Sequence, residues 1–333
     1  MRRYLPFIVA VSGLVFGLFV AANVLNIASI RSSRFEAADA GETMDKPAVF
    51  HFGAIIPSSS RDPYFRAARA SMARAAAENQ AVVQFFEYDA TEGSDAALRL
   101  LQMAAELELD GLIATLPDDP GLLPAVDAID EAGTPVIALE NDLPGSRRKA
   151  FVGSNDFQIG SECGALADSS CPPGTKAALV LSSRYAEAKA RKASFLMGFT
   201  QAIKSSGRVS VGFIVSTRAD ALSGEEALRE ILEEHPDIGI IVFTAARDAE
   251  EGAQALIEFS RVGNPLALGF DDTPEILEFI RSEVILATVA RNPDRAGSEC
   301  VTSLIALRKG ARTNAYVDTG VEVVDRAAAR ARE

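Results

Sequence analysis

The side chains best equipped for chemistry in this 333-residue chain are three carboxylates, Asp62, Glu140 and Asp271, and an adjacent aromatic pair, Tyr64 and Phe65. Two carboxylates facing one reacting bond could act as general acid and base. The other equipment of catalysis is missing. No H-E-x-x-H, Walker-type G-K-[ST] loop, G-x-G-x-x-G or G-x-S-x-G occurs. Gly160-Ser161-Glu162-Cys163-Gly164 carries Glu where a nucleophile elbow needs its nucleophile. Of the two histidines, His51 reads as a sheet residue, and His235, before Pro236, sits at a helix end where the dipole favours it. We therefore expect a binding protein with no cofactor and no metal, not an enzyme. The aromatic pair follows an apolar strand over 49–56 and a polar turn, with Asp62 as N-cap and Pro63 at the first helical position. Rings just past the carboxyl end of a strand lie where open α/β sheets bind ligands, although the same rings could equally be core residues.

Lys and Arg number 33 against 46 Asp and Glu, a formal charge of −13, which argues against a nucleic-acid surface. Apolar residues make up 48 %, enough for a packed core without staples. Three cysteines, Cys163, Cys171 and Cys300, do not make a disulfide framework. A Cys163–Cys171 bridge is open if the chain is exported, and buried free thiols are the favoured reading.

Arg2 and Arg3 precede an uncharged, mostly apolar run over 4–30, longer than a signal core and long enough for the ~20 residues of a membrane span. The arginines put the N-terminus in the cytoplasm and the rest outside. We favour a signal anchor over 1–30 above a removed signal. Ala38-Asp39-Ala40 is a cleavage pattern, but it lies far beyond the run. Residues 31–46 read as a linker.

From Val49 onward, short apolar runs alternate with amphipathic helical stretches up to about residue 324, and the Arg-rich tail over 327–333 reads as frayed. Strict β-α alternation with continuous apolar strands means parallel sheets covered by helices on both faces. About eleven strands are too many for one sheet. Polar breaks at 140–149 and 290–292 suggest passage between two lobes. The fold class is α/β: two doubly wound parallel-sheet lobes.

The chain resembles the type I periplasmic sugar-binding proteins, the ribose-binding-like group, over about 47–324. Motifs in the right order carry the resemblance: Asp62-Pro63-Tyr64-Phe65; Ala132-Gly133-Thr134-Pro135-Val136-Ile137; Val152-Gly153-Ser154-Asn155-Asp156, followed by Gly160; Gly198-Phe199; Leu268-Gly269-Phe270-Asp271-Asp272-Thr273-Pro274; and Ala287-Thr288-Val289-Ala290-Arg291-Asn292-Pro293, followed by Gly297. It implies two lobes joined by a three-crossing hinge, an N-terminal lobe of 47–153 plus 292–318 and a C-terminal lobe of 154–291 plus 319–326. It also implies that the lobes close on a small polar ligand, a sugar or sugar derivative. The protein would feed an ABC-type importer or, as a tethered receptor, signal to a sensor kinase or chemoreceptor.

The resemblance assigns ligand-facing roles to Ser58, Asp62, Tyr64, Phe65, Glu140, Asn141, Ser154, Asn155, Phe195, Arg247, Asp271 and Arg291. The aromatic pair would stack on a sugar ring, and Glu140 and Asp271 would accept from hydroxyls. Several positions depart from the family pattern. Asp62 and Asn155 exchange acid and amide, Asn141 and Phe195 stand where Arg is frequent, and Arg247 and Arg291 stand where amides are usual. Two cleft guanidiniums suit a carboxylate or phosphate, so an anionic ligand is one expectation. The alternative is that Arg247 and Arg291 pair with the protein's own acids.

Overall fold

The computed structural model describes residues 49–58, 60, 62–186, 188–217 and 222–332. They belong to one compact unit beginning at Ala48. The expected anchor over 1–30 and linker over 31–46 lie outside the described residues. Among the described residues no helix is long and apolar enough to cross a membrane.

Among the described residues, twelve strands form two sheets of six. The first holds β1 (Phe50–Pro57), β2 (Ala81–Tyr88), β3 (Gly111–Ala114), β4 (Val136–Leu139), β5 (Ala150–Gly153) and β11 (Tyr316–Asp318), in the order β11-β5-β4-β3-β1-β2. The second holds β6 (Thr175–Leu181), β7 (Val209–Ser216), β8 (Ile238–Phe243), β9 (Leu266–Phe270), β10 (Ala287–Arg291) and β12 (Val321–Val324), in the order β12-β10-β9-β8-β6-β7. The two orders are the same topology run twice. All pairings are parallel except β10 with β12. β3 and β4 are buried along their whole length, the continuous apolar pattern that parallel strands covered on both faces require.

Helices cover both faces of each sheet. On the first, α1 (Pro63–Glu78) and α10 (Pro293–Arg308) lie on one face, and α2 (Gly93–Ala105) and α3 (Leu123–Glu131) on the other. On the second, α4 (Asp156–Ser170), the single turn α5 (Ser183–Ala186) and α6 (Lys189–Lys204) lie opposite α7 (Gly224–Glu234), α8 (Ala246–Glu258) and α9 (Pro274–Arg281). The chain crosses between lobes three times, at 153–156, 291–293 and 318–321. Two crossings run straight into a capped helix. Asn155 Oδ1 accepts from the Phe157 and Gln158 amides at 3.0 and 3.2 Å, and Asn292 Oδ1 accepts from the Arg295 amide at 2.9 Å.

One expectation needs correction. The C-terminal tail is not frayed: Asp325 accepts from the Ala328 amide at 2.9 Å and caps α11 (Arg326–Ala331), whose Ala329 is fully buried in the second core. All three cysteines are free and buried.

The glycines of the sequence motifs mark places where helix backbones touch. A Cβ on Gly160 would lie 2.0 Å from the Phe195 carbonyl oxygen, and one on Gly198 2.0 Å from the Phe157 carbonyl oxygen, so α4 and α6 meet with nothing between them. Gly297 of α10 meets the Ala68 carbonyl of α1 in the same way, at 2.4 Å. Backbone cannot yield as a side-chain tip can. Gly160→Ala is therefore expected to cost about 3 kcal/mol of stability in urea unfolding, the upper end of overpacking penalties, while the neighbouring Ser161→Ala costs little.

Candidate functional site

The sheet topology sends nine strand ends towards one place. Residues just beyond β1, β3, β4, β6, β7, β8 and β9, together with the last residues of β2 and β10, line a cleft of about 790 Å³ between the lobes. Its walls include Asp62, Phe65, Thr115, Glu140, Asn141, Arg184, Thr217, Arg247, Asp248, Asp271 and Arg291.

At the hinge end of this cleft lies a buried ionic network. Glu140 follows β4 and Asp271 follows β9, the equivalent places in the two lobes, and both are left-handed, with φ of 60° and 58°. Arg291, at the end of β10, meets both. Its Nε and Nη2 donate to the two Asp271 carboxylate oxygens at 3.0 and 2.6 Å, and its Nη1 donates to Glu140 Oε2 at 3.4 Å. The Arg291 guanidinium lies 3.9 Å from the Tyr64 ring centroid, a cation–π contact, and 5.1 Å from that of Phe270. Tyr64 packs edge-on against Phe65, and its hydroxyl donates to Glu140 Oε1 at 2.5 Å. Ser154 Oγ donates to the same oxygen at 3.2 Å. Arg184 Nη1 donates to Glu140 Oε2 at 2.7 Å.

Glu140 is 1 % exposed. Burial alone would raise its carboxyl, but Arg184, Arg291 and the Tyr64 hydroxyl together outweigh it and hold it down at about 2. The same surroundings push the Tyr64 hydroxyl well above its ordinary value, through burial first and the Glu140 charge second. Burial also raises Asp62, the cap that accepts from the Tyr64 amide, against the pull of Arg291.

The expected site residues divide three ways. Asp62, Phe65, Glu140, Asn141, Arg247, Asp271 and Arg291 line the cleft, and Tyr64 meets it through Glu140 and Arg291. Ser58, Ser154 and Asn155 stand back from it: Ser58 bonds Ser60, Ser154 supports Glu140 and Asn155 caps α4. Phe195 is a correction. It is fully buried in the core of the second lobe, between Tyr185 and Phe199. One turn earlier on the same helix, Arg191 reaches the hinge instead. Its Nε and Nη2 donate to Asp156 at 3.0 and 3.2 Å, and its Nη1 donates to the Glu140 carbonyl at 2.7 Å and to Asn141 Oδ1.

Arg184, Arg191, Asp156 and Asp248 escaped the sequence reading. For Arg184 the signal was available, because it stands three residues past the end of β6, where the strand-end rule points. Arg191 and Asp156 gave none, because their roles depend on how two helices meet.

The two arginines that suggested an anion are both engaged. Arg291 donates from three of its nitrogens to Asp271 and Glu140, and Arg247 pairs with Glu251 at 2.8 Å on the same helix, its side chain 69 % exposed at the rim. Acids outnumber guanidiniums along the cleft lining. The geometry therefore disfavours an anionic ligand.

The chain has counterparts among known proteins. A family model described as periplasmic binding protein domain matches residues 52–312. The chain belongs to this family. Among curated relatives, the ribose import binding protein of Escherichia coli K12 is 23 % identical over 200 residues, which cover 60 % of this chain and 66 % of that protein. The match thus spans just under two thirds of the relative's length. Among solved structures, GanP, a glucose-galactose binding protein from Geobacillus stearothermophilus, is 25 % identical with a TM-score of 0.75, covering 85 % of this chain and 99 % of that one. The XylFII–LytSN complex contains a chain 24 % identical with a TM-score of 0.74, covering 85 % of this chain and 98 % of that one, a likeness of fold.

Two substitutions test the electrostatics. Glu140→Gln leaves Arg184 and Arg291 facing each other without their shared acid, and is expected to cost about 3 kcal/mol of stability near pH 7. The carboxylate's contribution is present above its ordinary value of 4.5 and disappears as pH falls towards 2, so at pH 2 the substitution should cost little more than the lost hydrogen bonds. Asp248 runs the other way. It is 7 % exposed, its Oδ2 accepts from Thr217 Oγ1, and burial raises its carboxyl to about 6. Ionising it costs stability as pH rises from about 4 to above 6. Asp248→Asn is expected to stabilise the protein by about 1–3 kcal/mol at pH 7, and not at pH 4, in thermal unfolding followed across that range.

Proposed function

We propose that this protein binds a neutral, polyhydroxylated small molecule, a monosaccharide or a close derivative, in the cleft between its lobes, and that it serves as the substrate-binding component of an ABC-type importer. The observation that carries this reading is the composition of the cleft. Phe65 offers an apolar ring face, and Asp62, Asn141, Thr217, Asp248 and Asp271 offer mostly acceptors for hydroxyl donors. No guanidinium among the described lining residues is free of an acid partner, as an anion would require. A volume of about 790 Å³ exceeds what one sugar ring needs, so ligand and water share the cleft or closure reduces it. The ribose import and glucose-galactose binding proteins to which the chain is similar support the ligand class. The absence of nucleophile, metal-binding and phosphate-loop motifs supports binding without turnover.

A second reading is a ligand-sensing receptor held at the cell envelope. The apolar run over 4–30 favours it. Mass spectrometry of the chain recovered from its native envelope separates the two readings. A retained segment over 1–30 favours the receptor, and a freely soluble product beginning near Gly41 favours the importer component.

Isothermal titration with neutral pentoses and hexoses, the matching sugar acids and the sugar phosphates tests the ligand class. We expect micromolar or tighter binding of a neutral sugar, with the acid and phosphate of that sugar at least 10-fold weaker, about 1.4 kcal/mol. Tight binding confined to acids or phosphates would reverse the assignment, and no binding across the panel would remove it.

A further inference from the structure

The contacts that join the lobes at the hinge end of the cleft are made by the protein's own side chains. Arg184 and Arg191 belong to the second lobe, Glu140 and Asn141 to the first. Between them run a charge-assisted bond from Arg184 Nη1 to Glu140 Oε2 at 2.7 Å, one from Arg191 Nη1 to the Glu140 carbonyl at 2.7 Å, and one from Arg191 Nη1 to Asn141 Oδ1. The arginine side chains are 14 % and 13 % exposed and Glu140 is 1 % exposed, so solvent screens these bonds weakly. Both guanidiniums are aimed from behind. Asp156, at the start of α4 in the same lobe, accepts from Arg184 Nη2 at 3.3 Å and from Arg191 Nε and Nη2 at 3.0 and 3.2 Å.

We propose that Arg184 and Arg191, held by Asp156, form a clasp that closes the two lobes in the absence of ligand. Three features lead to this. First, the acceptors on Glu140 are taken up: Tyr64 and Ser154 occupy Oε1, and Arg184 and Arg291 occupy Oε2. The bonds across the hinge therefore do not wait for a ligand hydroxyl to complete them. Second, the cross-lobe cations come from one lobe and their acceptors from the other, so opening would strip Glu140 of a partner it has in no other place. Third, Asp156 keeps the guanidiniums pointed at the first lobe whether or not the cleft is filled. A ligand shifts a closing equilibrium only by its differential affinity for the closed state. Where the protein itself supplies part of that difference, the binding-competent fraction is larger and the apparent affinity rises with it. This goes beyond the proposed ligand class and does not depend on which sugar binds.

Electron–electron distance measurements between spin labels test the clasp. The native cysteines are buried, so labels would attach selectively to Gln102→Cys on α2 of the first lobe and Glu233→Cys on α7 of the second, both exposed positions. The full chain is first unfolded in guanidinium, dialysed to remove any co-purified ligand, and refolded. The expected result is a single short-distance population in the ligand-free protein, moving mostly to longer distance in Arg184→Ala/Arg191→Ala. Should the double variant fail to refold by circular dichroism, Arg184→Lys/Asn141→Ala replaces it, weakening the same bonds without removing a buried charge, with a shift in the same direction. Identical distance distributions in the labelled parent and the variant, whether both short or both long, would overturn the clasp. The sugar titration can still succeed or fail separately.

Discussion

The cleft depends on one cation placed between two equivalent carboxylates. Arg291 ends β10 at a hinge crossing and contacts Asp271 of its own lobe and Glu140 of the other. A guanidinium buried to 8 % exposure is tolerable only if its donors are met. Here a bidentate carboxylate, a second carboxylate and an aromatic face meet them. Such a network is weak evidence of net stability, since its desolvation penalty is large. It is strong evidence of a defined geometry, because removing one member strands the others in low dielectric. Tyr64 is therefore oriented by charge as well as by packing: its ring lies under Arg291 and its hydroxyl points at Glu140.

The two lobes share this centre because they share a topology. Each runs its strands in the same order and each places an acid in a left-handed residue just past its fourth strand. A non-glycine residue with positive φ carries backbone strain of order 1–3 kcal/mol, tolerated where the surroundings fix it. At Glu140 and Asp271 the fixing groups are visible. The amides of both residues bond into the neighbouring strand, Glu140 to the Val152 carbonyl and Asp271 to that of Val289, and both carboxylates accept from Arg291. The left-handed turn aims each carboxylate into the cleft instead of along its sheet.

How much of this was legible in the sequence depends on whether the cause was local. The alternation of apolar strands and helices gave two doubly wound lobes, because continuous apolar runs have no other use in a soluble α/β domain. Asp62, Glu140 and Asp271 were legible as strand-end residues. The family motifs also marked Gly160, Gly198 and Gly297, though not their reason, which is contact between helix backbones. Phe195 was misplaced because a one-turn difference along α6 decides between core and cleft: Phe195 packs on Tyr185, and Arg191 emerges at the hinge. The pairings of Arg247 and Arg291 were open in the sequence because their partners come from other turns and other strands. The C-terminal helix was hidden by its charge. Three arginines in the last eight residues suggest a solvated tail, yet Asp325 caps the helix, Ala329 is buried, and Arg332 pairs with Asp272 and Glu322.

The division of charge between the lobes constrains how the hinge can move. Arg291 and Asp271 sit on adjacent strands of one sheet, so their bidentate pair travels as a body. The same holds for Arg184 and Arg191 with Asp156. What changes on opening is the first lobe's side: Glu140, Asn141 and the Tyr64 ring withdraw from a fixed array of guanidiniums. The second lobe is thus the cationic wall at the hinge, and the first lobe brings the acceptors and the ring to it. Towards the rim the balance reverses: Asp248 and Glu251 of the second lobe and Asp118 and Asp119 of the first line the same cleft, with Arg247 as the one guanidinium among these described residues. Like charges at the rim oppose full closure, while opposite charges at the hinge favour contact there. A neutral hydroxylated molecule suits that gradient, since it can donate to rim acids without adding charge to either end.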